Sequence, residues 1–158
     1  MMTKTKKKIV SIVVAVTMLC PMCAASVSAA NTTDVAWTMT SSSVFKYLGA
    51  SRIKTNSTPI YFKMGASVTS NQVDVKILGV NSISVTGWSQ LTNCTVNKNG
   101  VAKNYARCAK GVNYSLHSTV YEHGFSRVTL AMRTSSDDII SGLWSADSTG
   151  TYNEAPDY

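Results

Sequence analysis

The sequence predicts an all-β fold, an antiparallel β-sandwich or a small barrel, and three observations carry that prediction. Apolar residues recur at every second position in several short runs. Gly, Asn and Ser punctuate those runs at short intervals. Beyond an N-terminal leader, no stretch shows the 3.6-residue period of an amphipathic helix. The clearest run is Val112 to Arg133. With Tyr121 opposite Phe125 across Glu122-His123-Gly124, one face of a hairpin collects Val112, Tyr114, Leu116, Val120, Val128, Leu130 and Met132. The other face collects Asn113, Ser115, His117, Thr119, Arg127, Thr129 and Arg133. A one-residue slip would mix the faces, so the sorting favours this register. Gly124 supplies the residue a turn wants at positive φ.

Residues 1–30 read as a secretory signal. Lys4, Lys6, Lys7 and Lys8 make its charged region, Ile9 to Leu19 its apolar run, and Ala24 to Ala30 its small-residue end. The apolar run is far short of the roughly 20 residues that span a bilayer, so no membrane span is expected in the mature form. Cleavage fits after Ala29 or after Ala30, with Asn31 the favoured first residue. Cys20-Pro-Met-Cys23 has redox spacing but lies inside the signal, so no redox role is expected. The product is expected outside the cell.

From Asn31 the elements follow in order. Val35, Trp37 and Met39 alternate as a first edge strand. Val44 to Leu48 form a strand ended by Gly49. Pro59 precedes a half-buried strand built on Ile60, Phe62 and Met64. Val73, Val75 and Ile77 pair with Ile83 and Val85 in a second hairpin centred on Val80. Asn99-Gly100 marks a tight turn. Ile139 to Trp144 form a last strand, and the acidic tail from Asp147 is expected to fray. Residues 31–158 number 128, one ordinary domain able to bury its own core.

Charge is unevenly placed along residues 31–158. Val44 to Arg133 hold all eleven Lys and Arg against Asp74 and Glu122, a net +9, whereas Asp137 to Tyr158 hold five acids and no base. A basic body is drawn to anionic polymers and surfaces, although charge also serves solubility alone. Cys94 and Cys108 are expected to pair as a disulfide in a secreted chain, the alternative being two free buried thiols. A tight turn at Asn99-Gly100 places Cys94 nearer Asn104 or Tyr105 than Cys108, so such a bridge would tie a wider loop.

Little in the chain supports catalysis. His117 and His123 lie six residues apart on an extended run and cannot share an ion, so no metal and no other cofactor is expected. Gly124-Phe-Ser-Arg-Val128 lacks the second glycine of a nucleophile elbow, and Glu122 with Asp74 has nothing to mark it as a glycosidase pair. An enzyme is not expected. Binding has more to draw on. Trp37, Trp88 and Trp144, with Tyr47, Tyr61, Tyr105 and Tyr121, exceed what a small core must contain. The candidate binding residues are His117, Thr119, Arg127, Arg133, Trp88 and Trp144. Their expected partner is a cell-wall polymer, a glycan or another anionic surface. A protein partner in bacterial competition or phage biology is the second expectation, and no nucleic acid is expected. The bland alternative is that the tryptophans fill the core and the polar face is merely solvated.

Four segments carry a resemblance: Lys54-Thr-Asn-Ser-Thr-Pro-Ile-Tyr61, Asn93-Cys-Thr95, Val120-Tyr-Glu-His-Gly124 and Ser141-Gly-Leu-Trp-Ser-Ala-Asp-Ser148. Together they resemble small secreted proteins of Gram-positive bacteria grouped as a domain of unknown function. Ala146 stands where that pattern has proline, and His123 where its turn often has asparagine. The resemblance implies secretion and a compact β-rich domain. It brings no activity and no catalytic residue.

Overall fold

Alternation builds most of what the chain becomes. The structure, a computed structural model, describes residues 31–67 and 69–158; residues 1–30, where the signal is expected and where Cys20 and Cys23 fall, lie outside the described residues. In chain order the strands are β1 (Val35–Ser41), β2 (Lys46–Tyr47), β3 (Arg52–Ile53), β4 (Ile60–Ser67), β5 (Gln72–Val80), β6 (Thr92–Asn93), β7 (Thr95–Val96), β8 (Ala106–Ala109), β9 (Asn113–Ser118), β10 (Arg127–Arg133), β11 (Asp138–Ser145) and β12 (Asn153–Glu154). A short 3-10 turn covers Trp88–Gln90.

Two six-stranded sheets result. The first runs β1-β11-β4-β9-β12, with β7 also on β9; the second runs β2-β10-β5-β6, with β3 also on β10 and β8 on β5. The fold is all-β, and neither sheet closes into a barrel. The strands pair antiparallel except for β9 with β12. Every second residue points inward, and the inward sets of both sheets meet in one core. Ile60, Phe62 and Met64 of β4 and Tyr114 and Leu116 of β9 join Val73, Val75 and Ile77 of β5 and Val128, Leu130 and Met132 of β10. Each such side chain contributes about 1.5–3 kcal/mol by leaving water. Trp37 stacks on Phe62 with ring centroids 5.5 Å apart. As expected, β1 is an edge strand. Gly142 lets β11 approach β4, because a Cβ there would lie 2.0 Å from the Lys63 carbonyl oxygen.

The expected Val112 to Arg133 hairpin does not form. β9 sits between β4 and β12 in the first sheet, and β10 sits in the second beside β5. The inward set is nevertheless correct, although Ser115 and Thr129 of the expected wet face are buried as well. Alternation tells which side of a strand is buried, and that side is the same whether two strands lie side by side or face each other across a core. Between them, residues 119–125 coil into a compact turn, in which the N–H groups of His123, Gly124 and Phe125 donate to the carbonyls of Thr119, Tyr121 and Val120. Gly124 takes φ +74°.

The second expected hairpin fails too. β5 continues through Val80, using one edge for β10 and the other for β6 and β8. Ile83 is exposed. Leu78, Val80 and Val85 are buried outside the main core cluster, so this end of β5 is covered on both faces.

The tail does not fray. Asp147 is fully buried, and β12 pairs with β9. Asn104 donates to the Tyr158 carbonyl and Tyr158 donates to the Tyr105 carbonyl.

Cys94 and Cys108 are free, buried thiols, not a disulfide. Cys94 donates its N–H to Ile77 and Cys108 lies opposite Val73, on the same edge of β5. Four residues of strand separate them by roughly 13 Å, against a Cα reach of about 7 Å for a disulfide. The Asn99-Gly100 turn does set Cys94 toward Asn104, since Lys103 donates to Thr95 next door.

Candidate binding face

Two registers place three charges in line. β10 sets Arg133 opposite Asp74 of β5, and β8 sets Arg107 opposite the same residue from the other edge. Arg107 donates to Asp74 through Nε at 2.7 Å and Nη2 at 3.3 Å, and Arg133 donates through Nε at 3.0 Å. Asp74 is 11 % exposed between two arginines that are each about a third exposed. The hydrogen bonds that Arg107 donates to Asp74 push its guanidinium up from its ordinary value. Lys76 lies two residues along β5 on the same outward face, so three cations stand against one carboxylate.

Aromatic rings separate these cations. Phe45 has Lys76 Nζ 4.5 Å and Arg133 Cζ 4.7 Å from its ring centroid. Tyr105 lies 4.9 Å from Arg133 and stacks on Tyr158 at 5.4 Å, with Arg107 4.6 Å over Tyr158. At the margin, Tyr47 sits opposite Ala131 and meets Trp88 edge-on at 5.1 Å. Trp88 is 47 % exposed. A cleft of about 280 Å³ opens beside the row, lined by Ser43, Gln72, Asp74, Arg107, Arg133 and Thr134.

This arrangement has chemical consequences. Guanidinium groups held on ring faces and on Asp74 are ordered before any ligand arrives, which reduces the entropy lost on binding. Planar arginine donors match carboxylate and phosphate oxygens, and the half-exposed Trp88 at the margin is a ring able to stack on a sugar.

The sequence-predicted site residues are not brought together. Arg133 belongs to the row and Trp88 borders it. Arg127 is spent on Ser51, through Nε to Oγ at 2.7 Å and Nη2 to the carbonyl at 2.8 Å. Trp144 is 3 % exposed, beneath Arg52. His117 lies on the first sheet, 2.9 Å from Glu154, and Thr119 contacts His123 in the 119–125 turn. The patch expected from one hairpin is split because β9 and β10 belong to different sheets. Sequence reasoning missed Arg107, Tyr158 and Phe45 as members of the row that contains Arg133. Alternation had already placed Asp74, Lys76 and Arg133 on the wet sides of their strands; the missing fact was that β10 pairs with β5.

The acidic tail is also not a separate pole. Asp147 pairs with Lys54 at 2.6 Å, Asp157 with Lys103 at 3.1 Å, and Glu154 with His117. Elsewhere, His123 Nδ1 approaches Cys94 Sγ at 3.9 Å, but burial pushes that thiol up, away from the reactive thiolate. Among the described residues, no group of three or more His, Cys, Asp and Glu side chains is placed to hold a metal ion, and no helix is long and apolar enough to cross a membrane.

A family model described as a protein of unknown function, DUF2712, matches residues 25–148. No curated protein and no solved structure matches the chain.

Proposed function

Since the chain belongs to the DUF2712 family, whose description assigns no activity, we propose a function from its geometry: a secreted, single-domain β-sandwich that works by binding, not catalysis. Its ligand is an anionic cell-wall polymer or glycan, taken on the outward face of the second sheet. The observation that carries this reading is the Arg133–Asp74–Arg107 row interleaved with Phe45, Tyr105 and Tyr158. The leader-like residues 1–30 support export, and the shared core of the two sheets supports a sandwich.

A second reading, a protein partner, draws on Trp88 alone. A half-exposed tryptophan seated on a tyrosine suits an interface anchor.

Co-sedimentation of the mature protein with purified bacterial cell walls across a salt series tests the first reading. Binding that fades steeply with salt identifies the cation row as the contact. Binding that survives salt identifies ring stacking and hydrogen bonding. Absence of binding at low salt overturns the reading and leaves the protein partner.

A further inference from the structure

Asn31 is held more tightly than a residue four positions before its first strand requires. Its N–H donates to Asp147 Oδ2 at 2.9 Å, and its carbonyl accepts the Asp147 N–H at 3.2 Å. Its side chain accepts from Arg52 Nη2 at 2.7 Å and donates to the Ile53 carbonyl at 3.1 Å. Asp147 itself has a fully buried side chain. One oxygen takes Lys54 Nζ at 2.6 Å; the other takes Thr55 Oγ1 at 2.8 Å, the Thr55 N–H and the Asn31 nitrogen. A buried carboxylate oxygen is thus aimed at the main-chain nitrogen that directly follows Ser28-Ala29-Ala30.

We propose that the Ala30–Asn31 bond is a processing site and that its hydrolysis completes this fold, the new Asn31 ammonium docking on buried Asp147. A leader peptidase supplies the catalysis and water the second reactant: the C–N bond breaks, Ala30 keeps a carboxylate and Asn31 gains an ammonium. The nitrogen that donates to Asp147 stays in place but changes from a neutral to a charged donor, and charge-assisted hydrogen bonds are roughly twice as strong. Asn31 is partly exposed, so its other two protons remain in water. Arg52, the cation that holds the Asn31 side chain, is itself drawn by both Asp34 and Asp147. Cleavage one residue earlier leaves an amide at Asn31 and puts the charge beyond Asp147. This inference shares only the exported leader with the binding reading, and failure of wall binding leaves it standing.

The test has two arms. Export of the full chain followed by intact-mass measurement is expected to give a product beginning at Asn31; any other first residue overturns the proposal. In the second arm, chains released from a cleavable fusion begin either at Asn31 or at Ser28. The Ser28 chain is expected to unfold several degrees lower, and acetylation of the Asn31 amine to reproduce that loss. Asp147→Asn is expected to erase the difference. Should that variant not fold, the acetylated chain decides. Equal midpoints for the free, acetylated and extended chains contradict the proposal.

Discussion

Two carboxylates in this molecule are each held by basic side chains, and burial separates what those pairs do. Asp147 and Lys54 have side chains 0 % and 1 % exposed. Burial alone pushes Asp147 up, but Lys54, the Asn31 N–H and Thr55 outweigh it and leave the carboxyl below its ordinary value. That pair is closed to solvent. Asp74 is itself only 11 % exposed, but the Arg107 and Arg133 that flank it both keep a third of their area in water. Acid–base pairing is therefore a folding determinant in one place and, in the other, part of an open surface that we propose binds ligand. A charge count along the sequence cannot distinguish them.

Breaking the buried pair has the largest expected effect. Lys54→Met leaves Asp147 charged and enclosed, and is expected to destabilise the fold by about 3–5 kcal/mol in denaturant unfolding. A loss below about 1 kcal/mol would show that the site relaxes and that the contrast is false.

Acid sharpens the same comparison. Hydrogen bonds from Ser67 and Ser70 hold Asp138 well below the usual carboxylate range, and Asp147 is also lowered. A depressed folded value means that the stability is present above the unfolded value of about 4 and is lost as pH falls through the folded value. Thermal midpoints are expected to hold from neutrality to about pH 5 and to fall below pH 4, with a shallower fall in Asp147→Asn.

The open row should behave oppositely. Arg107→Gln with Arg133→Gln is expected to change stability by no more than about 1 kcal/mol, while wall affinity at low salt drops about tenfold and its salt dependence flattens. His117→Ala, on the first sheet, is expected to have the smallest effect, within about 0.5 kcal/mol in unfolding and none in wall binding. A large loss of binding there would move the site to the other sheet.

What the sequence discloses follows from what alternation encodes. Ile60, Phe62 and Met64, the edge strand at Val35, and the inward faces around Leu116 and Leu130 were all legible because period-2 burial is local. Strand partners were not legible, because Arg133 meets Asp74 only through a pairing that links residues 59 positions apart. Tail anchoring escaped for the same reason: Asp147 reads as a polar residue until Lys54 is placed beside it.

The segments that carry the family resemblance meet in pairs. Lys54, Thr55 and Thr58 bond Asp147 and Ser148, and Cys94 meets Thr119 and His123. Asn56-Ser-Thr58 and Asn93-Cys-Thr95 are the same device twice, with the Asn side-chain oxygen accepting from the N–H and hydroxyl of the Thr two residues on. These residues hold loops in place, and the Arg133–Asp74–Arg107 row proposed for binding lies apart from them.

The most direct test of this division is low-salt co-sedimentation of the Arg107→Gln, Arg133→Gln double variant with purified cell walls, its denaturation midpoint read on the same preparation. The account predicts wall binding weakened about tenfold with an almost unchanged midpoint. Full binding by the double variant, or a loss matched by unfolding, would contradict it.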